Sequence, residues 1–154
     1  MNISFDLDNT LIPHGNVFET EKRNLIGKLL GIEKIRKGTC ELIRQLKNDG
    51  HNIHIYTTSY RTRRKVKLTF RYYGVKVDRV VNQIQNERTL KLMNINSSKY
   101  PPAFNFDLHI DDSKGVEIEA ERYNFNTIIV SPDDKEWGKK IRNEIKRWVT
   151  RVQQ

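Results

Sequence analysis

Cysteine is almost missing from this 154-residue chain. Cys40 is the only one, so no disulfide can form within it, and a reducing, cytoplasmic location is expected. Cys40 stands beside Leu42 and Ile43 in a helical pattern and reads as core filler rather than a nucleophile. Long apolar runs are missing too. No segment approaches the roughly 20 residues that span a bilayer, and the first residues lack a basic-then-apolar signal region, so no membrane partner is expected. There is no internal repeat, low-complexity segment or interdomain linker. Acids are outnumbered, with 19 Asp+Glu against 28 Lys+Arg and a net charge of +9. Such a surface attracts polyanions or phosphorylated substrates. The length suits one domain, residues 1–154, with a central sheet covered by helices on both faces.

The pattern alternates strand and helix, which argues for a mainly parallel sheet. Strands are expected over 2–7, 52–56, 75–81, 106–110 and 127–130. Leu25, Ile26, Leu29 and Leu30 recur at helical spacing up to Gly31, and a second helix runs from Thr39 to Asn48 and stops at Gly50. Residues 61–73 form a helix with Val66, Phe70 and Tyr73 inward and a basic stripe of Arg64, Lys67 and Arg71 outward. Residues 83–98 show weak periodicity and many Asn, Gln and Ser. A further helix ends near Tyr123. Ser131-Pro132-Asp133-Asp134 carries the marks of a helix start, and Trp137, Ile141, Ile145, Trp148 and Val152 form that helix's apolar stripe.

The chemistry concentrates in Asn2-Ile3-Ser4-Phe5-Asp6-Leu7-Asp8-Asn9-Thr10. Ile3, Phe5 and Leu7 give a buried strand, so Asp6 and Asp8 fall where it ends, the usual place for function in an open α/β sheet. Two carboxylates there are costly unless a cation lies between them. Oxygen ligands of this kind suit Mg²⁺. Phe106-Asp107-Leu108-His109-Ile110-Asp111-Asp112-Ser113 repeats the problem at a second strand end, where Asp112 and Ser113 also read as a helix cap. One shared Mg²⁺ would answer both.

The run Asp6-Leu7-Asp8-Asn9-Thr10 resembles the first motif of the haloacid-dehalogenase (HAD) superfamily, Asp-x-Asp-x-Thr. Thr57 or Thr58, ending the strand Asn52 to Tyr56, resembles the second motif. Lys99 before Tyr100-Pro101-Pro102 resembles the third, with Lys65 or Lys67 as substitutes, and Asp111-Asp112 resembles the fourth. The resemblance implies a Rossmann-like three-layer sandwich, its five-stranded sheet ordered 5-4-1-2-3, with a small or absent cap. Neither residues 11–50 nor 59–98 leave room for a cap beyond roughly a helical hairpin.

The resemblance also implies a hydrolase: a Mg²⁺-dependent phosphatase acting through an aspartyl-phosphate. Asp6 is then the nucleophile and Asp8 the acid and base. Thr57 (or Thr58) and Lys99 bind the phosphoryl oxygens. Asp6, the Asp8 carbonyl and Asp112 hold the metal, with Asp111 in support. Because dehalogenases lack the second acid, Asp8 favours a phosphatase. An open site fits a large or polyanionic substrate, nucleic acid included, with Arg61 as the substrate-binding candidate in the basic run 61–65. A nucleic-acid 3′-phosphatase or a phosphotransferase of the same fold is therefore the alternative. His14 reads as an exposed loop residue, and His54 and His109 as hydrogen-bonded core residues. Two other classes stay open. In a phospho-accepting signalling domain the motif order would differ. A catalytically idle polyanion-binding module would use only the charge, and no Gly-rich RNA motif, zinc-ligand set or aromatic stacking signature supports it.

Overall fold

Ile3 and Phe5 sit in the middle strand of a five-stranded parallel sheet. The computed structural model describes residues 1–152, with side chains through residue 150. Its elements are β1 (Asn2–Phe5), α1 (Leu25–Leu29), α2 (Thr39–Asn48), β2 (Asn52–Tyr56), α3 (Arg63–Tyr72), β3 (Val80–Val81), α4 (Gln83–Leu92), β4 (Leu108–Asp111), α5 (Lys114–Tyr123), β5 (Thr127–Ile129) and α6 (Trp137–Val152). A 3-10 turn at Pro101–Phe104 precedes β4. The order is β3-β2-β1-β4-β5 with every pairing parallel, as expected for this α/β, Rossmann-like architecture. No helix among the described residues is long and apolar enough to cross a membrane.

The period of two along each strand separates two faces. Ile3, Phe5, Ile53, Ile55, Leu108 and Ile110 join one aliphatic core with Leu42, Ile43 and Leu46 of α2, Val66 and Phe70 of α3, and Trp137, Ile141 and Ile145 of α6. The alternate positions are polar or aromatic: Ser4, His54, Tyr56, His109 and Asp111, all buried. Tyr56 packs there with Val81, Phe104 and Phe106. The register of β1 puts Asp6 on the same side as Ser4, so the sheet delivers the acids to its polar face.

Several boundaries differ from the sequence pattern for identifiable reasons. β1 ends at Phe5 rather than Leu7. Asp6 N still donates to Ile110 O, but the Leu7 carbonyl is then taken by Leu11 N and Ile12 N as the chain turns back. β3 shrinks to two residues because Asp78 occupies the pairing position: its N–H donates to Ile53 O, and its carboxylate accepts from Ile53 N. The stretch 83–98 contains α4. Its periodicity was faint because the buried side is partly polar. Asn86 accepts from the Tyr56 hydroxyl and donates to Ser98 O, while Ile84 and Leu92 face solvent.

The final helix begins at Trp137, not near Ser131. The carbonyls of Ser131, Pro132 and Asp134 curl instead around the buried Arg36 guanidinium, which lies between the rings of Phe18 and Trp137. Trp137, Ile141 and Ile145 face the core and Trp148 is half-buried; the Val152 side chain lies outside the described residues. α1 is helical as spaced, but for five residues only, and with its apolar side chains outward. Leu25, Ile26, Leu29 and Leu30 are 63–81% exposed. Gly27 makes the inward contact instead, and a Cβ there would stand 2.5 Å from the Tyr72 ring.

Candidate active site

The polar face of the sheet ends in a buried chain of hydrogen bonds that reaches Asp6. Lys99 Nζ stands 2.6 Å from Asp6 Oδ1 and 2.5 Å from Asp111 Oδ2, with all three side chains at most 7% exposed. Asp111 Oδ2 also accepts from His109 Nε2 at 3.0 Å, and Asp111 Oδ1 from Ser113 N at 2.9 Å. An ionised carboxylate only accepts, so His109 carries a proton on Nε2, and its Nδ1 lies 2.9 Å from Ser4 Oγ, which is also 3.3 Å from Leu108 O. Lys99 itself comes from the loop before the 3-10 turn. That loop is pinned where Tyr100 N donates to the Tyr56 hydroxyl at 2.8 Å.

Burial sets the electrostatics. It raises the Asp6 carboxyl to about 6, although the Lys99 ammonium pulls it back and Asp111 adds to the rise. Burial opposes the ionisation of Asp111 as well, but the His109 hydrogen bond and the Lys99 charge more than reverse it, holding Asp111 well below the ordinary carboxylate range. Lys99 loses stability as a cation on burial, yet the two carboxylates outweigh the loss and raise it. His109 is lowered chiefly by burial. Two acids against one ammonium leave the centre short of positive charge.

Asp112 is partly exposed and accepts from Thr10 Oγ1 at 3.0 Å; burial raises its carboxyl, with the Thr10 bond pulling the other way. Oxygens of Asp6, Asp111 and Asp112 lie within 4.8 Å of one another. The donor set fits Mg²⁺: all ligands are hard oxygens, and two of the carboxylates carry raised values that a cation would relieve. Asp111 is the least available of the three, because Lys99, His109 and Ser113 already use it.

Asp8 stands at the mouth. Its Oδ1 accepts from His14 Nε2 at 2.9 Å, and the Arg61 guanidinium lies 2.8 Å from it. Thr57 is fully buried just past β2. Its hydroxyl oxygen accepts from Ser59 N, which leaves the O–H proton to donate. Thr58 is exposed and lines a separate cleft of about 620 Å³ with Gln83 and Ser98. Of the residues singled out from the sequence, Asp6, Lys99, Asp111 and Asp112 converge directly, with Asp8 on the adjoining turn. The substitutes for Lys99 do not converge there: Lys65 is exposed on α3, 3.9 Å from Glu33, and Lys67 is exposed on the same helix. Ser4, His109 and Glu33 enter the constellation without having been expected in it. His109 sat two residues before Asp111 in a strand, so the period of two was the signal that could have found it. Glu33 had none.

No protein-family model matches the chain, and no curated protein sequence does either. Among solved structures the likeness is clear. Two chains from structures of the Pnkp1/Rnl/Hen1 complex, one described as an RNA repair complex, superpose with a TM-score of 0.53 at 13% identity. The superpositions cover 84% and 86% of this chain, but only 42% and 46% of those chains, so the chain spans less than half of their length. A predicted HAD-like family hydrolase from Porphyromonas gingivalis matches over 92% of this chain and 96% of its own length, with a TM-score of 0.50 and 17% identity. At such identities the shared property is the fold alone, a five-stranded parallel α/β sheet of Rossmann-like type.

Proposed function

We propose that this protein is a Mg²⁺-dependent phosphomonoesterase acting through an aspartyl-phosphate on Asp6. The observation that carries the proposal is Lys99 Nζ held between Asp6 and Asp111 with Asp112 alongside, at the carboxyl ends of neighbouring strands. Asp6, Asp112 and the Asp8 carbonyl would hold the metal, with Asp111 in support. Bound there, Mg²⁺ supplies the positive charge that lets an anionic nucleophile meet an anionic ester.

The chain's own residues divide the remaining work. Asp6 attacks phosphorus while Asp8 gives a proton to the ester oxygen, so the P–O bond to the alcohol breaks as the Asp6–P bond forms. Asp8 then takes a proton from the water that attacks phosphorus. Inorganic phosphate leaves, Asp6 is freed and Asp8 ends protonated as it began. Lys99 and the Thr57 hydroxyl stabilise charge on the transferring oxygens.

Hydrolysis of 4-nitrophenyl phosphate with and without Mg²⁺, in wild type and Asp6→Asn, tests this reading. Turnover that needs the metal and is lost in the variant is expected. Stoichiometric phosphorylation without turnover would mark a phospho-accepting domain, and no reaction at all an idle binding module. The net charge of +9 favours a polyanionic substrate, and a 3′-phosphorylated nucleic acid is the second reading. It is supported by the likeness to chains from an RNA repair complex and decided by a substrate panel spanning sugars, nucleotides, phosphopeptides and 3′-phosphorylated DNA.

A further inference from the structure

We infer that Glu33 and Arg61 are positioning residues for Asp8, an inference that rests on Asp8 acting as acid and base in the reaction above. Asp8 follows the last paired residue of β1 by three positions, on a turn where Asn9 adopts a left-handed conformation with φ 58°. The Asp8 backbone bridges to Ile12 outside the sheet, and its Oδ1 also meets His14 of the exposed loop. Arg61 makes the larger hold on the carboxylate. Its Nη1 lies 2.8 Å from Asp8 Oδ1 and 3.0 Å from Oδ2, so one nitrogen spans both oxygens. The Arg61 Nε donates in turn to both Glu33 oxygens, at 2.9 and 3.0 Å.

Both supports are themselves anchored on α3 and its surroundings. The Glu33 carbonyl accepts from the Tyr73 hydroxyl at 3.0 Å, and the Arg61 carbonyl from Asn82 Nδ2 at 3.1 Å. The Arg61 and Glu33 side chains are only 18% and 21% exposed. A guanidinium locked between carboxylates by charge-assisted bonds is pre-organised. It is also poorly placed to grip a second substrate phosphate. Its Nε and Nη1 are already taken by Glu33 and Asp8, and an arriving anion would have to displace one of them from the fork. The geometry therefore gives Arg61 the task of aiming Asp8, with Glu33 holding Arg61 in place. Nothing in the sequence marks Glu33 for this, since it lies in the loop after α1, far from any motif.

The test separates aiming from anchoring by the leaving group. An alkyl phosphate needs a proton delivered to its departing oxygen, and an aryl phosphate needs it far less. The ratio of kcat/KM for glycerol 2-phosphate to that for 4-nitrophenyl phosphate should fall about tenfold or more in Arg61→Ala and in Glu33→Gln. Arg61→Lys, which keeps the charge without the fork, should fall between them and wild type. In an Asp8→Asn background the Arg61→Ala change should leave the ratio where Asp8→Asn alone puts it. Glu33→Gln preserves size and serves if Arg61→Ala does not fold. A ratio that stays at the wild-type value or rises, whatever happens to the individual constants, overturns the inference and makes Arg61 a substrate anchor or a bystander. The phosphatase reading fails separately, if wild type turns over neither ester or Asp6→Asn retains activity.

Discussion

Thr10 Oγ1 donates to Asp112 Oδ1 at 3.0 Å, joining the turn after β1 to the residue that follows β4. This bond aims one oxygen of Asp112 and leaves the other for a cation. Asp111, next to it, has no such freedom, because three donors occupy its carboxylate. Asp112→Ala should therefore weaken Mg²⁺ binding more than Asp111→Ala, with Asp112→Ala losing about tenfold or more. Calorimetric titration of both variants measures this. The reverse order would assign the direct ligand to Asp111, and equal affinities would overturn the preference for Asp112.

The excess negative charge around Lys99 makes a prediction about stability and pH. Asp6 sits at about 6 in the folded protein against an ordinary 3.8, so the native state binds that proton more tightly than the unfolded chain. Stability contributed by the protonated form is complete below about 3.8 and is lost as pH rises through about 6. Asp6→Asn removes this loss and leaves Lys99 paired one-to-one with Asp111. In chelator, the variant should melt higher than wild type above the folded value, by at most about 3 kcal/mol, or on the order of 2–4 °C per kcal/mol. The gap should close as pH falls toward 3.8, and saturating Mg²⁺ should narrow it at neutral pH. A variant that melts lower than wild type at pH 8 in chelator would show that the Asp6–Lys99 attraction outweighs the burial penalty.

The outward face of α1 makes a sharper test of packing than any core position. Leu29 is 81% exposed, whereas Leu46 of α2 is 1% exposed. Leu29→Ser should change unfolding free energy by less than about 0.5 kcal/mol, and Leu46→Ala should cost about 2–5 kcal/mol. Urea unfolding of the two variants decides it. A large loss for Leu29→Ser would mean that α1 packs inward.

The same helix shows where sequence reading fails. Periodicity reports that apolar residues share a face, and it is silent on which way that face points. At α1 the choice was made by Gly27, whose missing side chain lets the Tyr72 ring approach. β1, β2 and β4 were legible because their alternation carries both a dry face and a polar one. α4 was not, since Asn86 replaces an apolar residue at its buried centre and satisfies the Tyr56 hydroxyl. Asp6, Lys99, Asp111 and Asp112 were legible as a set because acids at strand ends need a counter-charge. Their supports were less so: His109 shares a strand face with Asp111, but Ser4 reaches it only across the sheet and Glu33 reaches Asp8 only through Arg61, and such pairings belong to the folded chain.

The basic run after β2 bears on substrate choice. Arg63, Arg64 and Lys65 are all exposed in the first turn of α3, which holds no acid. Cations at the positive end of a helix dipole destabilise it slightly, and an anion close by would relieve both the dipole and the mutual repulsion. With Arg61 committed to Asp8 and Glu33, these three carry whatever preference the rim has for further phosphates. That preference should appear as a higher kcat/KM for a 3′-phosphorylated oligonucleotide than for a simple phosphomonoester. It should fall as salt rises from low to moderate ionic strength. Arg64→Ala should flatten the salt dependence by roughly the share of one phosphate contact, with little effect on the simple ester. If the preference and its slope survive Arg64→Ala and Arg63→Ala together, the run is a solvated helix face, and the selection of substrate lies elsewhere at the mouth of the site.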